Sequence, residues 1–289
     1  MGYLISVIMF TLITIVTVTG VYVLTGLTGM FSLGQASFMA IGCYVSGALV
    51  VKAGLPFWFS TIVAIVFTVL IGLIVGLPTV RLRRDYISLV TLGFGLAITA
   101  LLNQMVSITG GANGFSGIPE KTTFPLALIS AIVCVALAGY FKISKYGRQC
   151  IALKSDELAA KAMGINVPHV KMVAFLISVA LTAYAGVLYA FYTTYVEPQS
   201  FDWKLSGQWV IMVFFGGVNS LTGSTFAAII LTVLPEMLRF SSEYSMVLYA
   251  VLVLLVINFK PSGIFGEYEL SLANIKMLFK FKFKRKGEK

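Results

Sequence analysis

Apolar and polar positions fall along this chain in long blocks rather than in residue-by-residue alternation. About nine apolar stretches, near 3–25, 31–51, 57–80, 86–106, 122–141, 172–195, 206–218, 220–238 and 246–259, are set apart by short polar breaks. Most are about 20 residues long, the length at which a helix crosses a hydrocarbon core of ~30 Å. The stretch at 206–218 is too short to cross alone. It is expected to pair with 220–238 in a hairpin or broken helix through Gly216, Gly217, Val218, Asn219 and Ser220. The stretch at 31–51 is rich in small and polar residues and is also expected to be broken. The pattern predicts an all-α, polytopic membrane protein with about 8–10 transmembrane helices, broken or re-entrant segments included.

The longest internal polar break, Lys142–Lys171, contains a short helix with its own start and stop. Ser155 is placed to cap it, and Asp156 and Glu157 fall in its first turn, where the helix dipole favours negative charge. Gly164 is placed to end it, and Pro168 is expected to keep it from resuming. Around Ala160 and Lys161, the residues Leu158, Ala159, Ala162 and Met163 recur at helical spacing and form a small apolar face. An exposed helix of that kind suits a groove on another protein. The competing reading is an ordinary connector.

Composition agrees with the block pattern. The chain is 58% hydrophobic and 11% charged, where soluble domains carry roughly 25% charged residues. Its net charge of +10 does not imply nucleic acid, because the cations lie in loops and in the tail. Arg81–Arg84, the Lys142–Lys171 break and the region after Lys260 hold most of them. The span count puts all three on one side, which the positive-inside rule makes cytoplasmic, the C-terminus included. The tail cations Lys276, Lys280, Lys282, Lys284, Arg285 and Lys286 read as an anchor near anionic lipid. Cys43, Cys134 and Cys150 are scattered and form neither a disulfide framework nor a metal cluster. The first apolar stretch lacks a basic leader and is too long for a signal sequence, so it reads as a retained membrane helix.

Two small-residue segments stand out. In Gly29–Ser37, polar and small residues mix at membrane depth, and Ser32, Ala36 and Ala40 recur at a four-residue spacing suited to a close helix contact. Thr109–Pro119 is a Gly-rich turn on the outer side. It lacks the Gly-Lys-Ser/Thr of a phosphate-binding loop. Such segments serve either helix packing or, where irregular backbone lines a cavity, transport.

The residues Glu157–Gly164, reading ELAAKAMG, resemble the coupling loop of ABC importer permeases, with Leu158 in place of the first alanine of its Glu-Ala-Ala motif. GLTGMFSLGQASFMAIGCYVSG (26–47), LRRDYISLVTLGFG (82–95), ITGGANGFSGIP (108–119), GRQCIALKSDELAAKAMGINV (147–167) and PSGIFG (261–266) follow in order. Together they resemble a permease subunit of the branched-chain amino acid ABC importers over nearly the whole chain. The resemblance implies a transmembrane permease domain over 1–266, with its coupling loop at about 142–171, and a basic cytoplasmic tail over 267–289. It implies a second homologous permease, two cytoplasmic ATPase subunits that bind the ATP and magnesium, and an extracytoplasmic substrate-binding protein. No cofactor is expected in this chain, and no enzyme activity of its own. The substrate path is expected along Phe31, Ser32, Gln35, Ser37 and Phe38, where polar groups would meet the ends of a zwitterion and aromatic rings its aliphatic chain. The Gly-rich turn is expected either to meet the binding protein or simply to join two helices. Permeases for urea or short-chain amides have similar sequences and remain the alternative within the class.

Two other classes fit less well. An ion-coupled carrier keeps Asp, Glu or His inside its spans, whereas here the acids lie at span ends or in loops, and the single histidine, His169, sits in the Lys142–Lys171 break. A membrane enzyme needs a nucleophile with a base, or a metal-ligand cluster, and little material for either is present.

Overall fold

The computed structural model describes residues 2–237, 245–260, 262–266 and 268–269. The basic tail cations and the boundary near residue 266 proposed for the tail fall at or outside the edge of that set.

The predicted apolar blocks are helices. α1 (Gly2–Val21) runs into a π-helical turn at Tyr22–Gly26 and stops. After an irregular stretch the chain resumes as α2 (Gln35–Val51), then α3 (Phe57–Thr79) and α4 (Arg84–Gln104). A single helical turn, α5 (Val106–Thr109), leads into the Gly-rich turn, which holds a 3-10 turn at Gly111–Asn113 and strand β1 (Phe115–Ser116). Next come α6 (Phe124–Ile143), the loop helices α7 (Lys145–Ser155) and α8 (Glu157–Ala162), and the long α9 (Val167–Thr193). Strand β2 (Tyr195–Val196) pairs antiparallel with β1 and closes the end of the bundle away from α7 and α8. α10 (Trp203–Gly216), α11 (Leu221–Met237) and α12 (Ser245–Phe259) complete the described chain. Among the described residues, five helices are long and apolar enough to cross a membrane, and α2 and α11 are shorter apolar helices.

α9 is the axis of the bundle and packs against α1, α2 and α3. Its small residues make this possible, since membrane helices associate by close backbone approach rather than by hydrophobic burial. A Cβ placed on Gly42 would lie 2.4 Å from the Ala183 carbonyl oxygen, and one on Gly186 would lie 2.2 Å from that of Met39. α2 and α9 therefore cross with no room for side chains between their backbones. Ser32 does not share in that crossing as its spacing to Ala36 and Ala40 suggested, because it precedes the first turn of α2. Several hydroxyls inside the bundle are satisfied locally: Thr17, Thr19 and Thr68 each donate to the carbonyl four residues back. The outer faces are apolar and exposed, with Ile62, Leu70, Ile74 and Leu77 on α3 and Ile129, Ile132 and Leu137 on α6. Such faces suit lipid.

Candidate functional site

The break between α1 and α2 is an irregular backbone at the heart of a helical bundle, and its amides need partners. Hydroxyls supply them. The Thr91 Oγ1 of α4 accepts from Leu33 N at 3.1 Å, and the Ser206 Oγ of α10 accepts from Ala36 N at 2.9 Å. Within the break, the Thr28 and Ser32 hydroxyls accept from Met30 N and Gly34 N. Gly34 is required here, since a Cβ would lie 2.4 Å from the Thr91 carbonyl oxygen.

Ser32, Gln35, Ser37 and Phe38, expected along the substrate path, are fully buried inside this one chain. Gln35 accepts a hydrogen bond from Thr182 Oγ1 at 3.1 Å, while its Nε2 has no partner. Ser178 Oγ, one turn before Thr182 on α9, is also without one. Phe38 packs against Phe94 and Phe175. Phe31 differs: it is half-buried, stacks on Phe214 with ring centroids 5.4 Å apart, and lines a cavity.

That cavity, of about 560 Å³, lies where the break meets the α10–α11 turn and the loop helices. A web of polar contacts surrounds it. Arg84, at the start of α4, donates through Nη1 to the Lys154 carbonyl at 2.9 Å and through Nη2 to the Leu153 carbonyl, bracing the last turn of α7. Lys154 Nζ donates to the Gly26 carbonyl at 2.8 Å and to Asn219 Oδ1 at 2.6 Å. The Asn219 carbonyl accepts from Tyr22 Oη at 3.2 Å and from Lys142 Nζ at 2.7 Å. The loop is thus tied to the last residue of the π-helical turn.

α7 is capped by Ser144, whose hydroxyl accepts from Gly147 N. Burial pushes the Cys150 thiol on its inner face up to about 12. α8 begins one residue later than the sequence suggests. Its cap is Asp156, whose Oδ1 accepts from Leu158 N at 2.8 Å and Ala159 N at 3.1 Å. Ser155 instead ends α7 and donates to the Ile151 carbonyl. Gly164 ends α8 as expected, with φ +82°. Ile165 N bonds to Ala160 O and Gly164 N to Lys161 O, which together make a Schellman motif. Pro168 does not block a helix. It sits in the first turn of α9, where its missing N–H costs nothing, and Asn166 caps that helix through His169 N.

The apolar face of α8 is bare. Leu158 is 80% exposed and Met163 84%, and Ala159 and Ala162 are exposed beside them, while Ala160 turns inward. Lys161 is exposed, whereas Glu157 is only half-exposed and is engaged by two cations. Its Oε1 lies 2.7 Å from Lys171 Nζ and its Oε2 lies 3.9 Å from Arg84 Nε. Lys171 is buried and had read as one more loop cation. Arg84, Lys154, Lys171 and Asn219 were not singled out by sequence, because their partners lie far away along the chain.

At the opposite end, Thr109, Phe115 and Ile118 pack inward, while Ala112, Asn113, Ser116 and Gly117 are exposed. Gly110, Gly111, Gly114 and Gly117 all take positive φ, as the Gly-rich turn requires. Among the described residues, no three His, Cys, Asp or Glu side chains gather to hold a metal ion.

Residues 3–257 match the family described as the permease component of the branched-chain amino acid transport system. The chain is 32% identical to the LivM high-affinity branched-chain amino acid transport system permease protein of Escherichia coli strain K12, over 88% of this chain and 68% of that protein. It is 26% identical to a probable LivM of Methanocaldococcus jannaschii, over 71% of this chain and 68% of the relative. It is also 27% identical to the LivH permease protein of Salmonella typhimurium, over 70% of this chain and 65% of the relative. No solved structure matches the chain.

Proposed function

The chain belongs to the family of branched-chain amino acid transport system permease components, and from that premise we propose that it carries branched-chain amino acids inward through the membrane as one subunit of an ATP-driven importer. Relatives of both LivM and LivH type support a heteromeric pair, with a second, homologous permease beside this chain. Their names do not favour urea or short-chain amides as the cargo. Two ATPase subunits would dock beneath the pair, and a soluble binding protein would deliver substrate from outside. The positive-inside rule puts the α7–α8 loop in the cytoplasm and the Gly-rich turn outside, next to the binding protein.

The observation that carries this reading is the bare apolar face of α8 on a rigid mount. Leu158 and Met163 project from a helix that is capped at one end and closed by a Schellman motif at the other. Glu157 clamps the helix to Lys171, Arg84 ties the preceding helix to the start of α4, and Lys154 ties it to the π-helical turn after α1. When the ATPase dimer closes, Leu158 and Met163 seated in its cleft would move α7 and α8 as one lever. Lys154 would pass that displacement to Gly26, so the break would be where the path alternates between inward and outward access.

Replacing both Leu158 and Met163 with Asp should leave the permease inserted but abolish co-purification of the ATPase and ATP-driven leucine uptake in proteoliposomes. Wild-type co-purification and uptake in that variant would remove α8 from the coupling role.

A further inference from the structure

The cavity beside the break is lined by two kinds of group, the cations Arg84 and Lys154 and the apolar side chains Phe31, Phe214 and Val218, with Thr25 among them. Its volume of about 560 Å³ falls in the roughly 300–1,000 Å³ range of small-molecule sites. The Arg84 guanidinium spends two of its nitrogens on carbonyl groups, which carry no net charge. Among the described residues, Glu157 pairs with it at 3.9 Å and sits closer to Lys171, at 2.7 Å. A guanidinium so engaged retains further N–H donors for a carboxylate. The stacked Phe31–Phe214 pair and Val218 supply apolar surface to the same cavity. The Thr25 hydroxyl oxygen is buried there without a hydrogen-bond partner.

We propose that this cavity is an inner binding subsite for an aliphatic α-amino acid, with the carboxylate held by Arg84 and Lys154 and the side chain laid against Phe31, Phe214 and Val218. The subsite rests on the amino acid transport reading and adds to it a second station, distinct from the binding protein, occupied before release. Because Lys154 also holds the Gly26 carbonyl, a carboxylate arriving there competes directly with the strut between loop and break. Cargo at this station is thereby coupled to the lever.

The test uses the complete transporter in lipid nanodiscs, with both permeases and both ATPases but no binding protein, and measures binding of radiolabelled leucine. Leucine should bind. 4-Methylpentanoate, which keeps the carboxylate and the branched chain, should compete, and leucinamide, which lacks the carboxylate, should not. Lys154→Gln should weaken leucine binding at least about tenfold, the loss of one contact to a charged group, whereas Lys154→Arg should stay close to wild type. Val218→Phe fills the cavity and leaves both cations in place, so it should weaken binding similarly while ATPase co-purification persists. Equal competition by leucinamide, or wild-type binding in both Lys154→Gln and Val218→Phe, would overturn the subsite. Uptake is measured in parallel with the binding protein added. If the wild type takes up leucine yet binds none in nanodiscs, the subsite falls and the transport reading stands. If the wild type takes up no branched-chain amino acid, the transport reading fails and the subsite with it.

Discussion

Glu157 shows how one residue's role is decided by a distant partner. Its position along the chain placed it in the first turn of a short helix, where the helix dipole favours its charge, but Lys171 is buried, and a buried ammonium needs a counter-charge. Glu157→Gln strands that ammonium. The expected cost is about 2 kcal/mol, below the ~3–5 kcal/mol of a fully enclosed pair because the Glu157 side chain keeps 38% exposure. The readout is faster tryptic cleavage at the exposed Lys161. Adding Lys171→Met to Glu157→Gln should recover most of the protection, since the stranded charge is then gone. If cleavage stays at the wild-type rate in Glu157→Gln, the pair does not hold the loop. The displaced cap is a related case: Ser155 and Asp156 are both good capping residues, and the extension of α7 through Ser155 left the role to Asp156.

At the level of elements, helix limits were readable wherever an apolar block met a polar break. The predicted 57–80 and 86–106 became Phe57–Thr79 and Arg84–Gln104, and the hairpin at Gly216–Ser220 formed where two glycines made it possible. The break after α1 was legible as a mixture of small and polar residues. The partners that satisfy it were not, because Thr91 and Ser206 come from helices that only the fold brings near. The web around Arg84, Lys154 and Asn219 escaped for the same reason: a loop lysine that sets topology and one that grips a carbonyl look alike in sequence. Whether Ser32, Gln35, Ser37 and Phe38 line a path or only pack was likewise undecidable from residue type, and here all four are enclosed. The α2–α9 crossing permits a firm expectation. Gly186→Leu must push a side chain into backbone 2.2 Å from its Cβ. Neither flexible atoms nor empty space can absorb it, so the variant should fail to accumulate in the membrane. Normal expression and a normal gel-filtration profile in detergent would contradict the crossing.

For the molecule as a whole, the orientation in the membrane rests on loop charge and can be checked directly. Cys43, Cys134 and Cys150 are all buried, so the wild type should resist maleimide under native conditions. Asn113→Cys places a thiol on the exposed Gly-rich turn and should react with a membrane-impermeant maleimide added from outside to intact cells. Labelling confined to inverted vesicles would reverse the assignment of sides. The backbone contact between α2 and α9 bears on how such a molecule can move at all. A joint with no clearance cannot slip along its axis, so α2 and α9 turn together or not at all, and the break between α1 and α2 is left as the compliant link through which a push on α7 and α8 becomes a rotation elsewhere.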